Sequence, residues 1–266
     1  ISHMIKYIVY NYVHISNLQE VFVLERKSGV LMHVSSLWGE YSCGSFGSEA
    51  KEFVDFLSQG GFSYWQVLPF CPVDECNSPY KSYSTFGGNP YFVDLVDLAQ
   101  KGLITEAELS ASRQQTPYSC EFEKLSQNRV RLLINASKRA DEELTKKVNE
   151  FIDSRKHLAE FCKFMALKEA NNLNEWSEWD CFEYDSAIDF GWRFIQYEFF
   201  IQWQEVKKYA NSKGIKIVGD IPIYVSLDSC DVWSNKEQYL LDSDGKPTKV
   251  AGVPPDYFSE DGQKWG

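Results

Sequence analysis

Apolar residues recur along this chain with two different textures. In "SEAKEFVDFLSQGG" (48–61), Ala50, Phe53, Val54 and Leu57 fall at three- and four-residue spacing. That spacing predicts a helix with one apolar face, stopped by Gly60 and Gly61. Short continuous apolar runs flank it. "SGVLMHVSSL" (28–37) predicts a buried strand over residues 30–34 that runs into a serine-rich loop. "FSYWQVLPF" (62–70) predicts a second strand, ended by Pro69. Strand, helix and strand with short links form a βαβ unit, and such a crossover implies a parallel sheet.

After "NPYFVDLVDL" the texture changes. Residues 99–187 are polar, charged and short of strand signals, and read as a helical insertion with its clearest helix over 157–170. The best-defined helix follows over 188–214, where Trp192, Ile195, Phe199, Trp203, Val206 and Ala210 share a face and Gly214 ends it. "IKIVGDIPIYV" (215–225) predicts a third buried strand. Ile1-Ser2-His3 before Met4 reads as an expression scar. Residues 4–27 form an N-terminal extension, in which "IKYIVYNYVHI" (5–15) predicts an extended segment. Residues 28–98 then open a barrel, and 188–266 continue it and end in a loop. Each strand leads into a polar loop, as in a (β/α) barrel, where the site is built at the C-terminal ends of the strands. Such a barrel has eight strands, and the pattern supplies only the first three.

The charge balance narrows the partners. With 27 basic residues against 38 acidic, the net charge is −11. Nucleic acid and anionic membrane surfaces are therefore excluded as expected partners, whereas a neutral substrate is compatible. No apolar run reaches membrane-spanning length. Cysteines at 43, 71, 76, 120, 162, 181 and 230 are odd in number and irregularly spaced, which predicts reduced thiols and a cytoplasmic setting. No metal or organic cofactor is implied. Tryptophan, tyrosine and phenylalanine make up 15% of the chain, enough for some rings to line a site as well as a core.

Candidate chemistry gathers in the loops. "NSPYKSYSTFGGNPYF" (77–92) offers the rings of Tyr80 and Tyr83, the hydroxyls of Ser78, Ser82 and Ser84, and the amide of Asn89. Polar groups fixed around aromatic walls orient small molecules, although ordinary surface loops share this composition. Asp220 closes "KIVGD", where a carboxylate at a strand's end reads as functional. In "AGVPPDYFSEDGQKWG" (251–266), Pro254 and Pro255 stiffen a candidate lid, Asp256 and Tyr257 sit on it, and Trp265 offers a stacking platform. His33 reads as a satisfied core histidine, Lys81 as a solvated charge, and Asp141 to Glu143 as a water-facing acidic run. Retaining glycosidic chemistry needs two carboxyl groups close together, and the spacing yields no convincing pair.

Four blocks together resemble the 4-α-glucanotransferase (amylomaltase, or disproportionating enzyme) family. They are "SGVLMHVSSL", "WQVLPFCPVDECNSPYKSYSTFGGNPYFVDL", "QWQEVKKYANSKGIKIVGDIPIYVSLDSCDVW" and "LLDSDGKPTKVAGVPPDYFSEDGQKWG". The resemblance implies a (β/α)8 barrel with helical insertions and a retaining transfer of α-1,4-glucan segments. A maltooligosaccharide or glucan donates, and an acceptor sugar rather than water takes the glycosyl unit. It implies that Tyr80 packs against the donor sugar, that Trp265 contacts glucan from the lid beside Asp256 and Tyr257, and that Asp220 supports the site without being the nucleophile. Two departures fall in the first loop: Trp38 stands where the family usually has proline, and "EYSCGSFG" (40–47) is a loose version of its motif. The family's nucleophile lies in an Arg-Ile-Asp-His block, followed by an acid/base glutamate and a third carboxylate. None of these occurs in residues 1–266, so the chain resembles the N-terminal half of such an enzyme. A non-catalytic glucan-binding half-barrel is the alternative.

Overall fold

A computed structural model describes residues 26–264 except Glu75, Val250 and Phe258. The extended segment expected over 5–15 and the platform expected at Trp265 lie outside the described residues.

Three short strands, β1 (Gly29–Leu31), β2 (Tyr64–Gln66) and β3 (Lys216–Val218), form a parallel sheet in sequence order with β2 central. Val30 pairs with Trp65, and Trp65 with Ile217. The ladder runs one step further at its C-terminal end, where Met32 N donates to Gln66 O and Val67 N to Val218 O, each at 3.0 Å. Trp65 is fully buried, and its indole N–H donates to Met32 O at 2.7 Å, tying β2 to the end of β1.

All three strands are shorter than the apolar runs that encode them. The first run turns at His33 into a 3-10 turn, Val34–Ser36. Pro69 cannot donate to a ladder, and the second run leaves the sheet before it. The third run pairs over only three residues; Ile221 and Ile223, beyond it, are exposed. An apolar run reports burial or apolar surface, but not where pairing stops.

Helices hold the sheet in place. α1 (Ser48–Gln59) buries Ala50, Phe53, Val54 and Leu57, the face its spacing predicts. It ends in a Schellman turn: Phe62 N donates to Leu57 O at 3.0 Å and Gly61 N to Ser58 O at 3.1 Å. Gly61 takes φ +73°, a left-handed conformation that costs glycine little. The short helices α2 (Leu95–Gln100) and α3 (Glu106–Ala111) lead into α4 (Phe122–Ser137), α5 (Glu142–Asp153) and α6 (Lys156–Ala170). Among the described residues, 99–187 contain no strand. Asp141 is more than a solvated charge, because it caps α5 by accepting from Leu144 N at 2.8 Å.

α7 (Ser186–Ser212) runs 27 residues, about 40 Å at helical rise, and packs against α1, α4, α5 and α6 before delivering β3. Its apolar stripe meets the loops after β1 and β2. There Phe46, Phe70, Phe92, Phe199 and Trp203 interlock with mostly edge-to-face or tilted rings. Phe46, Phe92 and Phe199, the fully buried members, each contribute about 1.5–3 kcal/mol of transfer free energy. His33 lies in the same cluster, just past β1 rather than within it. It is buried as expected but not satisfied: its Nδ1 has no hydrogen-bond partner among the described residues.

A short helix, α8 (Cys230–Ser234), and a hairpin of β4 (Gly252–Val253) with β5 (Gln263–Lys264) follow β3. The hairpin falls where the sequence predicts only a loop.

Candidate functional site

The loops that leave β2 and β3 at their C-terminal ends face each other across an open cleft of about 1220 Å³. Local hydrogen bonding fixes the β2 loop. Asp74, buried, accepts from Cys76 N at 2.9 Å and pairs with Lys81 at 2.7 Å, so Lys81 is an ion-pair partner rather than a free solvated charge. The Ser78 hydroxyl accepts from Tyr80 N at 3.3 Å and Lys81 N donates to Ser78 O at 3.2 Å, which turns the chain so that Tyr80 projects outward. Ser82 and Ser84 are buried within the loop. Ser82 Oγ donates to Ser84 O, and Ser84 Oγ accepts from Phe86 N and Gly87 N.

Tyr80 and Asp220, 140 positions apart, meet in this cleft. The phenol donates to Asp220 Oδ2 at 2.7 Å, and Asp220 Oδ1 accepts from the N–H of Ile221 at 2.8 Å. The carboxylate that holds the phenolic proton raises the Tyr80 pKa above its ordinary 10.0. The tyrosine is 47% exposed, so an apolar ring face remains open to solvent while its hydroxyl is anchored. Ser78, Tyr83, Tyr224 and Lys264 also border the cleft.

Asn89 lies elsewhere. It is buried, and its side-chain oxygen accepts from Tyr91 N at 2.9 Å, capping the 3-10 turn Pro90–Phe92. Its nearest hollow is a separate one of about 680 Å³, bordered by α4, α6 and α7 and sharing Asp74 and Tyr83 with the cleft wall. Its side-chain oxygen is therefore committed to the backbone. Asp256 and Tyr257 sit on the tip of the β4–β5 hairpin, where Ser259 N donates to Asp256 Oδ1 at 3.0 Å. Neither borders the cleft; of the hairpin, Lys264 does.

One wall came with no sequence expectation. Lys168 of α6 is 1% exposed, and its ammonium pairs with Asp228 at 2.5 Å and donates to Asn174 O at 3.0 Å. It lies 4.9 Å from the Tyr83 ring centre. Asp228 also accepts from Trp176 N at 3.2 Å. A buried lysine tolerates its charge only when so paired, and the pair fixes Asp228 and Asn174 on the cleft rim. The available signal was a lysine inside the apolar run "CKFMALKEA". Chemically, the cleft combines an open aromatic face, carboxylates whose oxygens retain acceptor capacity, and a lysine from the hairpin. That set suits a neutral polyhydroxylated ligand. Among the described residues no group of histidine, cysteine and acidic side chains could hold a metal ion, and no helix is long and apolar enough to cross a membrane.

Comparison with known proteins gives one consistent picture. The family described as 4-alpha-glucanotransferase matches residues 32–266. A 4-alpha-glucanotransferase from Clostridium butyricum is 40% identical over 255 residues, which cover 88% of this chain and 52% of the relative. One from Streptococcus pneumoniae is 40% identical over 259 residues, covering 91% and 51% respectively. Among solved structures, an amylomaltase from Streptococcus agalactiae in complex with acarbose superposes with a TM-score of 0.85 at 38% identity, covering 91% of this chain and 52% of that one. The chain thus spans about half the length of the relatives it matches.

Proposed function

Because the chain belongs to the 4-alpha-glucanotransferase family, we propose that the whole protein moves α-1,4-glucan segments from a maltooligosaccharide or starch-derived donor to an acceptor sugar. On this reading β1, β2 and β3 are successive strands of a (β/α)8 barrel, and their loops form one wall of the glucan cleft. The observation that carries it is the meeting of Tyr80 and Asp220 at 2.7 Å across the cleft. The tyrosine ring offers a flat face to a glucose unit, and Asp220 holds that ring in place. A ligand like the acarbose of the structural relative fits the same chemistry.

The transfer is a double displacement. An acid protonates the leaving glycosidic oxygen while a carboxylate forms a glycosyl-enzyme. An acceptor 4-hydroxyl then displaces that carboxylate, and the acid, now a base, takes its proton. Residues 1–266 contain no counterpart of the family's Arg-Ile-Asp-His block. The reading therefore assigns this chain to binding and positioning, with Ser78, Tyr80 and Asp220 on the wall, Asp256 and Tyr257 on a hairpin that closes over bound glucan, and Trp265 as a further glucan contact. Seven free thiols fit a reducing compartment, and we place the protein in the cytoplasm.

Calorimetric titration of the protein with maltoheptaose, alongside maltotriose disproportionation, tests this. Tyr80→Ala should weaken binding about tenfold, equivalent to about 1.4 kcal/mol, and Asp220→Ala should weaken it as well. Unchanged affinity in both variants would remove the cleft from the function.

A further inference from the structure

Beside the cleft lies a second hollow, of about 580 Å³, which none of the cleft residues borders. A single ridge separates the two. Within residues 174–179, Asn174, Glu175 and Glu178 border the cleft, whereas Trp176, Ser177 and Trp179 border the hollow. The 3-10 turn Trp176–Glu178 produces that split. Hydrogen bonds lock the ridge in place. Trp176 N donates to Asp228 at 3.2 Å and its indole N–H to Leu227 O at 2.5 Å, and both acceptor residues stand on the cleft rim. Asn174 O accepts from Lys168 and, at 2.9 Å, from the Trp179 indole N–H.

The hollow is aromatic at its floor and polar at its rim. Trp176 and Trp179, both buried, form the floor; Trp233 of α8 has its ring centre 6.0 Å from that of Trp179, and Phe182 stands at the rim, 67% exposed. The turn Asp242–Gly245 closes another side, held by Asp242 Oδ1, which accepts from Asp244 N and Lys246 N, each at 2.9 Å. Gly245 lies against Trp176. Its φ of +77° suits glycine, and a Cβ there would come within 3.0 Å of the indole. Charge then selects the ligand. Glu237, Asp242 and Asp244 outnumber Lys236 in the lining, which disfavours an anion such as phosphate. The Lys236 ammonium sits 4.3 Å from the Trp176 ring centre, so the place over that ring where a ligand cation would be drawn is already taken. What fits is a neutral ligand with an apolar face for the rings and hydroxyls for the rim. Among the described residues the Trp233 indole N–H, the Tyr239 hydroxyl and the Asp244 carboxylate make no hydrogen bond, which leaves donors and acceptors for such hydroxyls.

Resting on the glucan reading of the cleft, we propose that this hollow is a second glucan-binding site, which holds a stretch of α-1,4-glucan remote from the one in the cleft. Phe182 stacks on the apolar face of a glucose unit, and Trp233, Tyr239 and Asp244 bond its hydroxyls. Because only the ridge separates the two hollows, one polymer occupies both, and the second contact forms at the high effective concentration that the first imposes. The gain falls to long chains such as amylose. Three glucose units held in the cleft leave nothing to reach across.

The test is run on the whole protein, with affinity electrophoresis in gels of graded amylose concentration set beside maltotriose disproportionation. Phe182→Ala should weaken the affinity for amylose about tenfold and leave kcat/KM for maltotriose within about twofold of wild type. Asp244→Ala, also at an exposed position, should act in the same direction, and it repeats the measurement should the first variant not fold. Tyr80→Ala separates the two readings, because it should depress maltotriose transfer. Unchanged amylose affinity in Phe182→Ala and Asp244→Ala, while Tyr80→Ala lowers transfer, overturns the second site and leaves the cleft standing. Unchanged maltotriose transfer in Tyr80→Ala sinks the cleft reading and, with it, this inference. A Phe182→Ala protein that loses maltotriose transfer in proportion to amylose affinity also overturns the proposal, because the hollow would then be part of the cleft.

Discussion

His33 sits with its ring centre 5.5 Å from that of Phe70 and 5.2 Å from that of Phe92. Burial in this apolar setting penalises the imidazolium and pushes its pKa down from 6.5 to about 4. Between those values the folded protein keeps His33 neutral while the unfolded chain binds a proton. Stability therefore rises with pH through that window and is flat above it. Between pH 7 and pH 5 the wild-type protein should lose about 2 kcal/mol through this residue, and His33→Leu should remove that loss in urea titrations at the two pH values. Glu49, Asp94, Glu169 and Glu198, whose pKa values burial raises, act with the opposite sign. They are common to both proteins and cancel in the comparison. Equal pH sensitivity in wild type and variant would show that His33 titrates normally. A second residue-scale prediction concerns Tyr80. In Asp220→Asn its phenol should titrate closer to 10.0, because the negative acceptor that retains its proton is gone. Difference absorbance of the phenolate band, with Tyr80→Phe as reference, reads this, and superimposable curves before and after the substitution would mean that the hydrogen bond does not persist in solution.

At the scale of elements, α7 does more than present an apolar stripe. Gln196, fully buried, takes Gly88 N–H on its oxygen at 2.7 Å and gives its amide to Gly88 O at 2.9 Å. Gln202 accepts from Asp94 N at 2.7 Å, and Glu198 pairs with Lys101 at 2.8 Å. These side chains grip the segment that follows the β2 loop and so hold the cleft wall against the long helix. Gly88 is required because a Cβ there would lie 2.2 Å from the Phe199 ring. Gln196→Ala should cost about 3 kcal/mol by chemical denaturation, since both backbone groups of Gly88 lose their buried partner. A loss below about 1 kcal/mol would mean that water replaces the side chain there. Periodicity made α1 and α7 legible, because Ala50, Phe53, Val54 and Leu57, or Trp192, Ile195 and Phe199, can share one face only in a helix. It could not reveal Gln196, Glu198 and Gln202, which a sequence scan counts as solvent-facing. The meeting of Tyr80 with Asp220 was legible as two loops at strand ends, while Asn89 resembled a ligand-binding amide because a turn cap and a binding group are the same residue type. The three-residue strands were legible in number and order but not in length.

At the scale of the whole molecule, the sheet and the surface beside it set the behaviour of the chain in solution. Among the described residues, β1 and β3 each pair on one side only, with β2. Open parallel edges offer unpaired N–H and C=O groups to other chains. Beyond the C-terminal end of β3, on the loop that borders the cleft, stand Ile221 and Ile223, 76% and 84% exposed, with Val218 of β3 and Tyr224 also accessible. Burying such side chains is worth about 1.5–3 kcal/mol each, so two copies meeting through this face gain several kcal/mol. The net charge of −11 opposes association but is spread over the surface and screened within about 10 Å at 0.1 M salt. Hydrophobic attraction therefore prevails at ordinary ionic strength. Residues 1–266 prepared by themselves should sediment as concentration-dependent assemblies, and the assemblies should grow with added salt. Ile221→Lys combined with Ile223→Glu should shift the distribution toward monomer without altering the far-ultraviolet circular dichroism. The same chain should catalyse no detectable maltotriose disproportionation. A monodisperse monomer at tens of micromolar would mean that this face is satisfied within the chain, and the eight-stranded reading, which needs a further strand beside β3, would lose its physical motive.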